Sequence, residues 1–191
     1  MLRPNAAINP RRSAGHTGME REPTIEQRPP QPYAGMSAEV ESEAELRQFV
    51  DRSFPELFGW LGSHGIEPAG PPFIRFLELS GEGQPLRFEI GAPTSELPDA
   101  DGPVHAGTLP GGRYVTYLHV GPYTHAEVTD LADAHSTLAA WAEREGIRLE
   151  SSPTARGTAF EASVERYLTD ASREPDWSKW ETELSHLISD D

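Results

Sequence analysis

The sequence contains no cysteine, and no apolar run approaches the roughly 20 residues that a membrane-spanning helix needs. The lack of cysteine excludes disulfide bonds, thiolate zinc sites and cysteine nucleophiles. The arginines near the N-terminus are not followed by an apolar segment, so this region does not have the pattern of a secretory signal. We therefore expect a cytoplasmic protein.

Basic residues are few, because 16 Lys plus Arg stand against 31 Asp plus Glu, which gives a net charge of −15. The charge is uneven: residues 1–35 carry a net +2 and the remainder carries −17. A body this acidic repels phosphate backbones, and an anionic membrane surface is disfavoured for the same reason. The composition predicts neither a nucleic-acid partner nor a membrane partner.

The spacings typical of metal sites and hydrolytic triads are also missing. No two histidines have the HxxxH spacing, and no serine lies in a nucleophile-elbow sequence. Asp99 and Asp101 do not have the spacing of a calcium loop. We therefore expect no metal and no cofactor.

The N-terminal segment differs from the rest of the chain. Residues 1–22 contain Pro, Arg, Asn, Ser and Gly without periodicity, and we predict a disordered tail there. Residues 23–191 are long enough to bury a core as one domain.

The most informative positive feature is a pattern that occurs twice, with offsets that grow along the chain. The matched pairs are Tyr33 with Tyr114 and Trp60 with Trp141 at an offset of 81, Phe76 with Tyr167 at 91, and Glu89 with Glu183 at 94. The growth from 81 to 91 indicates an insertion in the second copy, which we place at the polar stretch 151–157. A unit used twice would bring two half-sheets together around a groove.

Hydrophobic periodicity and turn residues place the elements of each copy. The first helix is predicted at Glu43–His64, with a kink or two abutting helices near Ser53 because Pro55 interrupts it. The second begins in the capping box at Thr124 and ends before Gly146. Strands are predicted at Thr24–Val40, Phe73–Leu79, Leu86–Ile90, Val104–Leu109, Arg113–Val120, Ala162–Thr169 and Trp180–Ile188.

Three short motifs, in this order, resemble the GyrI-like small-molecule-binding domain, which is also the effector-binding module of multidrug-sensing transcription regulators. They are His119-Val120-Gly121-Pro122-Tyr123, Glu165-Arg166-Tyr167-Leu168-Thr169-Asp170 and Trp180-Glu181-Thr182-Glu183-Leu184. The resemblance implies an α+β fold of duplicated strand–helix–strand–strand units. These would form a pseudo-twofold antiparallel sheet with two helices and a central groove.

The resemblance also implies a ligand class. Members of this family bind bulky, flat, often cationic lipophiles through a buried acidic residue and surrounding aromatic side chains, without a metal. Regulators of this type carry a DNA-binding module ahead of the domain, and only the short tail occupies that position here, so we expect a free-standing domain. Haem-binding relatives share the fold, but we disfavour His105 or His119 as a haem ligand.

Glu183 is the first candidate for the acidic residue, because it lies in the motif at the last strand. Glu181 and the repeat partner Glu89 are rivals, and in each case a solvent-facing position in an antiparallel sheet is the alternative. The candidate ligand-binding side chains are Glu183, Tyr167, Tyr123, Tyr117, Tyr33, Phe73 and Trp141. For the aromatic members, simple packing in the core is the alternative.

Three functions follow from this resemblance. The first is a free-standing binding protein for lipophilic, neutral or cationic small molecules in a central groove with a buried glutamate. The second is a hydrolase that opens cyclopropane-type genotoxic natural products, with Glu183 and Tyr167 as catalytic residues. The third is a gyrase-inhibitor-like interaction module. The sequence leaves the identity of the ligand and the oligomeric state open.

Overall fold

The computed structural model describes residues 22–80, 85–121 and 128–190, with the side chains of residues 128–130 excepted. The predicted N-terminal tail, except its last residue, lies outside these ranges. So do the candidate Tyr123 and the predicted capping box that begins at Thr124. No helix in the described ranges is long and apolar enough to cross a membrane.

Within these ranges the chain forms two long helices, nine strands and one 3-10 turn at Trp177–Lys179. The helices are α1 (Glu43–Ser63) and α2 (Val128–Arg144), and the strands are β1 (Thr24–Arg28), β2 (Gln31–Val40), β3 (Phe73–Ser80), β4 (Leu86–Pro93), β5 (His105–Leu109), β6 (Gly112–Val120), β7 (Ser152–Pro153), β8 (Gly157–Tyr167) and β9 (Glu181–Leu187).

The sheet is antiparallel, and its strand order confirms the duplication. The order is β1-β6-β9-β8-β3-β4-β2-β5, with β7 paired to β8 off this path. The first unit contributes β3-β4-β2 and the second contributes β8-β9-β6, so the two units are related about the seam between β3 and β8. The predicted α+β fold class is therefore confirmed.

The two outer strands are exchanged between the units. β1 precedes the first unit in the chain but pairs with β6 of the second. β5 precedes the second unit but pairs with β2 of the first. Thr24 and His105, which begin these strands, are again 81 positions apart, so the exchange obeys the repeat. Each unit therefore depends on the other for its outer edge.

The helix ends also repeat. Gly65 and Gly146 have φ values of 66° and 68°, in the left-handed region where glycine ends a helix without a steric penalty. The following residues, Ile66 and Ile147, donate their backbone N–H groups to carbonyls of the last helical turn. The prediction that a glycine ends each helix is confirmed.

One of the two alternatives predicted for α1 was wrong. Two abutting helices near Ser53 are not formed, because one helix runs from Glu43 to Ser63 with Pro55 inside it, and the kink stays a prediction. A proline inside a helix costs about 3 kcal/mol. The fully buried Leu57 and Leu61 lie on the next turns, and burying each contributes about 1.5–3 kcal/mol, so packing on the sheet offsets that cost.

Both faces of the sheet carry apolar clusters. The helices cover one face, where α1 packs over β2, β3 and β4 and α2 packs over β6 and β9. The opposite face carries a third cluster, made of Tyr33, Phe73, Leu109, Tyr114, Ala162, Val164 and Leu187. Successive residues along each strand therefore face either the helices or the third cluster in turn.

Candidate functional site

A cavity lies between the two helices, above the seam where β3 meets β8. The cavity has a volume of about 120 Å³ and is open to solvent at its mouth. The lining is mostly apolar and aromatic, and it is formed by Leu46, Arg47, Val50, Asp51, Ile74, Phe76, Leu131, Glu165, Tyr167, Thr169, Trp180, Glu181 and Thr182.

Glu165 is the buried acidic residue of this cavity, with 5% of its surface exposed. It lies on β8 two residues before Tyr167, so the strand's alternation directs both side chains to the helix-covered face. The Tyr167 hydroxyl donates to Glu165 Oε2 at 3.0 Å. His135 Nε2, from α2, lies 2.7 Å from Glu165 Oε1.

His135 connects Glu165 to a second imidazole beneath the cavity. His135 Nδ1 lies 3.1 Å from His186 Nε2 on β9, and Ser163 Oγ lies 3.3 Å from the same His186 nitrogen. His186 Nδ1 is buried and has no hydrogen-bond partner within the described residues. Hydrogen-bond contacts therefore connect the Glu165 carboxylate, through His135, to His186 in the core.

The repeat shows that this polar site exists in one unit only. The offsets of 81 and 91 pair Phe54 with His135 and Ile74 with Glu165. Phe54 contacts Tyr167 edge-on at 6.3 Å between ring centroids, and His135 contacts Phe76 edge-on at 5.8 Å. The ring contacts across the seam are thus preserved, while the first unit has apolar residues where the second has an imidazole and a carboxylate.

The buried His186 makes stability depend on pH. Burial, with the nearby charge of His135, lowers the pKa of His186 from 6.5 to about 3. In the unfolded chain His186 takes up a proton near pH 6.5, whereas in the folded protein it stays neutral. The contribution of neutral His186 to the unfolding free energy is therefore complete above pH 6.5 and is lost as the pH falls towards 3. Below pH 6.5 the unfolding free energy falls by about 1.4 kcal/mol per pH unit, so about 2 kcal/mol is lost at pH 5.

We expect the His186→Gln variant to lose about 2 kcal/mol less unfolding free energy than the wild type between pH 7 and pH 5. Urea unfolding of both proteins at the two pH values measures this difference. Equal losses in the two proteins would show that His186 is not the group that titrates on unfolding.

Glu183 and its repeat partner Glu89 lie on the opposite face of the sheet. Glu183 pairs with Arg28 at 2.9 Å and with Arg166 at 3.1 Å. Glu89 pairs with Arg75 at 3.1 Å and also contacts Tyr33 and His105. Burial opposes ionisation of Glu89, but hydrogen bonds from His105 and Tyr33 and the charge of Arg75 hold its pKa below the usual value.

The structure separates the ligand-binding residues that the sequence suggests. Tyr167 lines the cavity between the helices, and the rival Glu181 lies in its lining. Tyr117 and Trp141 pack against the core under α2. Tyr33 and Phe73 belong to the cluster on the opposite face, with Glu183 and Glu89 on that same face.

Sequence reasoning did not single out Glu165 or His135. Alternation with Tyr167 was a usable signal for Glu165, because residues two apart in a strand share a face. The repeat offset was a second signal, since it sets a charged residue opposite Ile74. His135 carried a weaker signal, because its helical face looked like ordinary core.

The described part of the chain holds no group of three or more His, Asp or Glu side chains arranged to bind a metal ion. Glu165, His135 and Tyr167 can instead accept, donate and exchange protons, and the carboxylate can neutralise a positive charge. The aromatic rings of Tyr167, Phe76 and Trp180 can contact a flat apolar surface.

Comparison with solved structures shows the same fold in proteins of low sequence identity. The C-terminal domain of EcmrR matches with a TM-score of 0.69 at 15% identity, over 90% of this chain and 99% of that domain. In the EcmrR–DNA complex the chain spans only 57% of EcmrR, with a TM-score of 0.69, 16% identity and 88% of this chain covered.

Two smaller neighbours have the fold over nearly their whole lengths. SAV2435, solved bound to tetraphenylphosphonium, matches with a TM-score of 0.54 at 12% identity, over 89% of this chain and 95% of its own. A hydrolase from Listeria innocua matches with a TM-score of 0.53 at 19% identity, over 91% and 94%. A comparison with curated protein sequences gave no match.

The sequence itself matches a family model along most of its length. The model of the GyrI-like small-molecule-binding domain covers residues 21–185, which include both repeat units and the cavity between them. The duplicated sheet, its two helices and this match agree, and the chain belongs to the GyrI-like small-molecule-binding domain family.

Proposed function

We propose that this protein binds a lipophilic cation in the cavity between α1 and α2, with Glu165 as the counter-charge. The observation that carries the proposal is the kind of partner that Glu165 has. At least one arginine contacts each of Glu78, Glu89 and Glu183 within 4 Å. Within the described residues, the hydrogen-bond partners of Glu165 are His135 and Tyr167.

This difference matters because an ionised carboxylate in an apolar site is costly without a compensating charge. For the other three glutamates the fold supplies a permanent cation. At Glu165 it supplies a phenol and an imidazole, and the imidazole carries charge only when it is protonated. A ligand with a permanent positive charge would supply what the fold does not.

The rest of the lining suits a bulky aromatic ligand. Tyr167, Phe76 and Trp180 present ring surfaces, and contact between a cation and such a ring contributes about 0.5–2 kcal/mol. Leu46, Val50, Ile74 and Leu131 supply apolar surface around them. The net charge of −15 would also concentrate cations near the cavity mouth.

Tetraphenylphosphonium is a suitable probe, since the structural neighbour SAV2435 was solved with it. We expect calorimetric titration to show one bound cation per chain, and binding of neutral triphenylphosphine oxide that is at least about tenfold weaker. If the neutral compound bound equally well, the electrostatic part of the proposal would be wrong. If neither compound bound, the cavity would not be a site for this ligand class.

Glu165 takes the place of Glu183 in this proposal, and the assignment of Glu183 stays a prediction. The two alternatives named from the sequence, ring-opening hydrolysis and docking to a gyrase-like partner, stay predictions as well. The similarity to the Listeria hydrolase is a similarity of fold at 19% identity and does not favour turnover over binding.

A further inference from the structure

We infer that the cavity exchanges a proton for its ligand: His135 is protonated when the cavity is empty and loses its proton when a cation binds beside Glu165. This inference rests on the proposed function, because it assigns a regulatory role to a residue of the same site. It makes affinity for the cation depend on pH near neutrality.

The geometry provides the exchangeable charge. His135 Nε2 lies 2.7 Å from Glu165 Oε1, and the two side chains are 24% and 7% exposed. An imidazolium at this distance is a direct counter-ion for the carboxylate. A bound cation would also neutralise the carboxylate. The cation and the imidazolium would then repel each other beside a single buried negative charge. Releasing the imidazole proton removes that repulsion.

His186 allows His135 to adopt either charge without losing its contact. When His135 is charged, its Nδ1–H donates to His186 Nε2, and when it is neutral, His186 Nε2–H donates to His135 Nδ1. His186 itself stays neutral, because burial and the nearby His135 lower its pKa to about 3. Between these two states the hydrogen of His186 changes from Nδ1 to Nε2, so His186 changes its tautomer but not its charge, and the exchangeable charge lies on His135.

Among the residues that the structure describes, the other groups around His135 do not offer a competing exchange. From β8 the neighbour is Glu165, which also accepts from the Tyr167 hydroxyl, from β9 it is His186, and from β3 it is the ring of Phe76. The other charged residues in the cavity lining are Arg47 and Asp51 of α1 and Glu181 of β9. Carboxylates, phenols and guanidinium groups ordinarily titrate far from neutral pH, so the imidazole is the group whose charge changes there.

Two measurements test the exchange, both with tetraphenylphosphonium because it has no proton of its own to lose. The first is calorimetric titration in buffers of different ionisation enthalpy, which counts the protons released per bound cation. We expect the wild type to release up to one proton at mildly acidic pH. The His135→Gln variant, which keeps an N–H donor beside Glu165, should release close to none.

His105→Gln is the matched control. This variant lacks the imidazole that contacts the buried Glu89 at 2.8 Å on the opposite face of the sheet. We expect it to release protons on binding the cation as the wild type does. The second measurement needs no variant: the wild-type dissociation constant should rise as the pH falls below neutrality, by up to tenfold per pH unit.

The outcomes separate this inference from the proposed function. Binding without proton release, with an affinity that does not change with pH, would overturn the exchange and leave cation binding intact. Undiminished release in His135→Gln would overturn the role of His135. Absence of binding in the wild type would overturn the proposed function and the exchange with it.

Discussion

Replacing Glu165 with glutamine is expected to weaken tetraphenylphosphonium binding by about tenfold to a hundredfold. The substitution keeps the size of the side chain and one of the two oxygens that accept hydrogen bonds from Tyr167 and His135, but it removes the negative charge. Two opposite unit charges about 8 Å apart attract each other by about 2 kcal/mol at an effective dielectric constant of about 20, and each 1.4 kcal/mol is a factor of ten in affinity. Calorimetric titration of both proteins at pH 8 measures the change.

Glu183→Gln is the control for this prediction. Glu183 is a half-buried glutamate on the neighbouring strand, but its carboxylate pairs with Arg28 and Arg166 on the other face of the sheet. We expect the control to bind the cation as the wild type does. The reverse result, a loss of affinity in Glu183→Gln alone, would move the site to the opposite face.

The second large effect concerns stability. Glu89→Gln should lower the unfolding free energy by about 3–5 kcal/mol, because the largely buried Arg75 loses the carboxylate that neutralises it. Glu165→Gln should change it by less than about 1 kcal/mol, because the amide oxygen can still accept from His135, the amide NH2 can donate to the Tyr167 hydroxyl oxygen, and no permanent charge is left unpaired. The fold needs Glu89, whereas we propose that ligand binding needs Glu165.

Urea unfolding of the two variants at pH 7 measures this contrast. Both glutamates are buried and both accept a tyrosine hydroxyl and contact an imidazole, so the arginine is the chief difference between them. A similar loss of stability in both variants would mean that Glu165 has a structural role like that of Glu89.

The duplicated fold could be predicted because the repeat left marks at positions where packing and helix geometry demand particular residues. The glycines after the two helices need a left-handed φ, and they recur 81 positions apart. The inserted stretch near 151–157 also appears, as the short strand β7 paired with the start of β8. The continuity of α1 through Pro55 could not be read locally, because burial on the sheet decides it.

The site was harder to predict because alternation fixes which residues share a face but not which face the helices cover. Glu183 and Glu89 are true repeat partners, and both lie on the face that the helices leave uncovered. Their equivalence therefore reflects a structural ion pair in each unit. The residue in the cavity, Glu165, has the apolar Ile74 as its partner in the repeat.

A residue that breaks a repeat is thus more informative here than one that preserves it. The two units build the walls of one cavity from equivalent positions, including the crossed ring contacts of Phe54 with Tyr167 and His135 with Phe76. At the positions paired with Phe54 and Ile74, the second unit has an imidazole and a carboxylate. The buried carboxylate of the cavity therefore lies on one side of the seam, although Arg47 and Asp51 of α1 are also in the lining.

The most direct test is to locate a bound cation. Tetraphenylarsonium has the same shape and charge as the phosphonium, and its arsenic atom gives an anomalous signal in a crystal of the complex. We expect a single arsenic peak between α1 and α2, nearer to the Glu165 carboxylate than to any other. A peak beside Glu183 on the opposite face of the sheet would contradict the proposal.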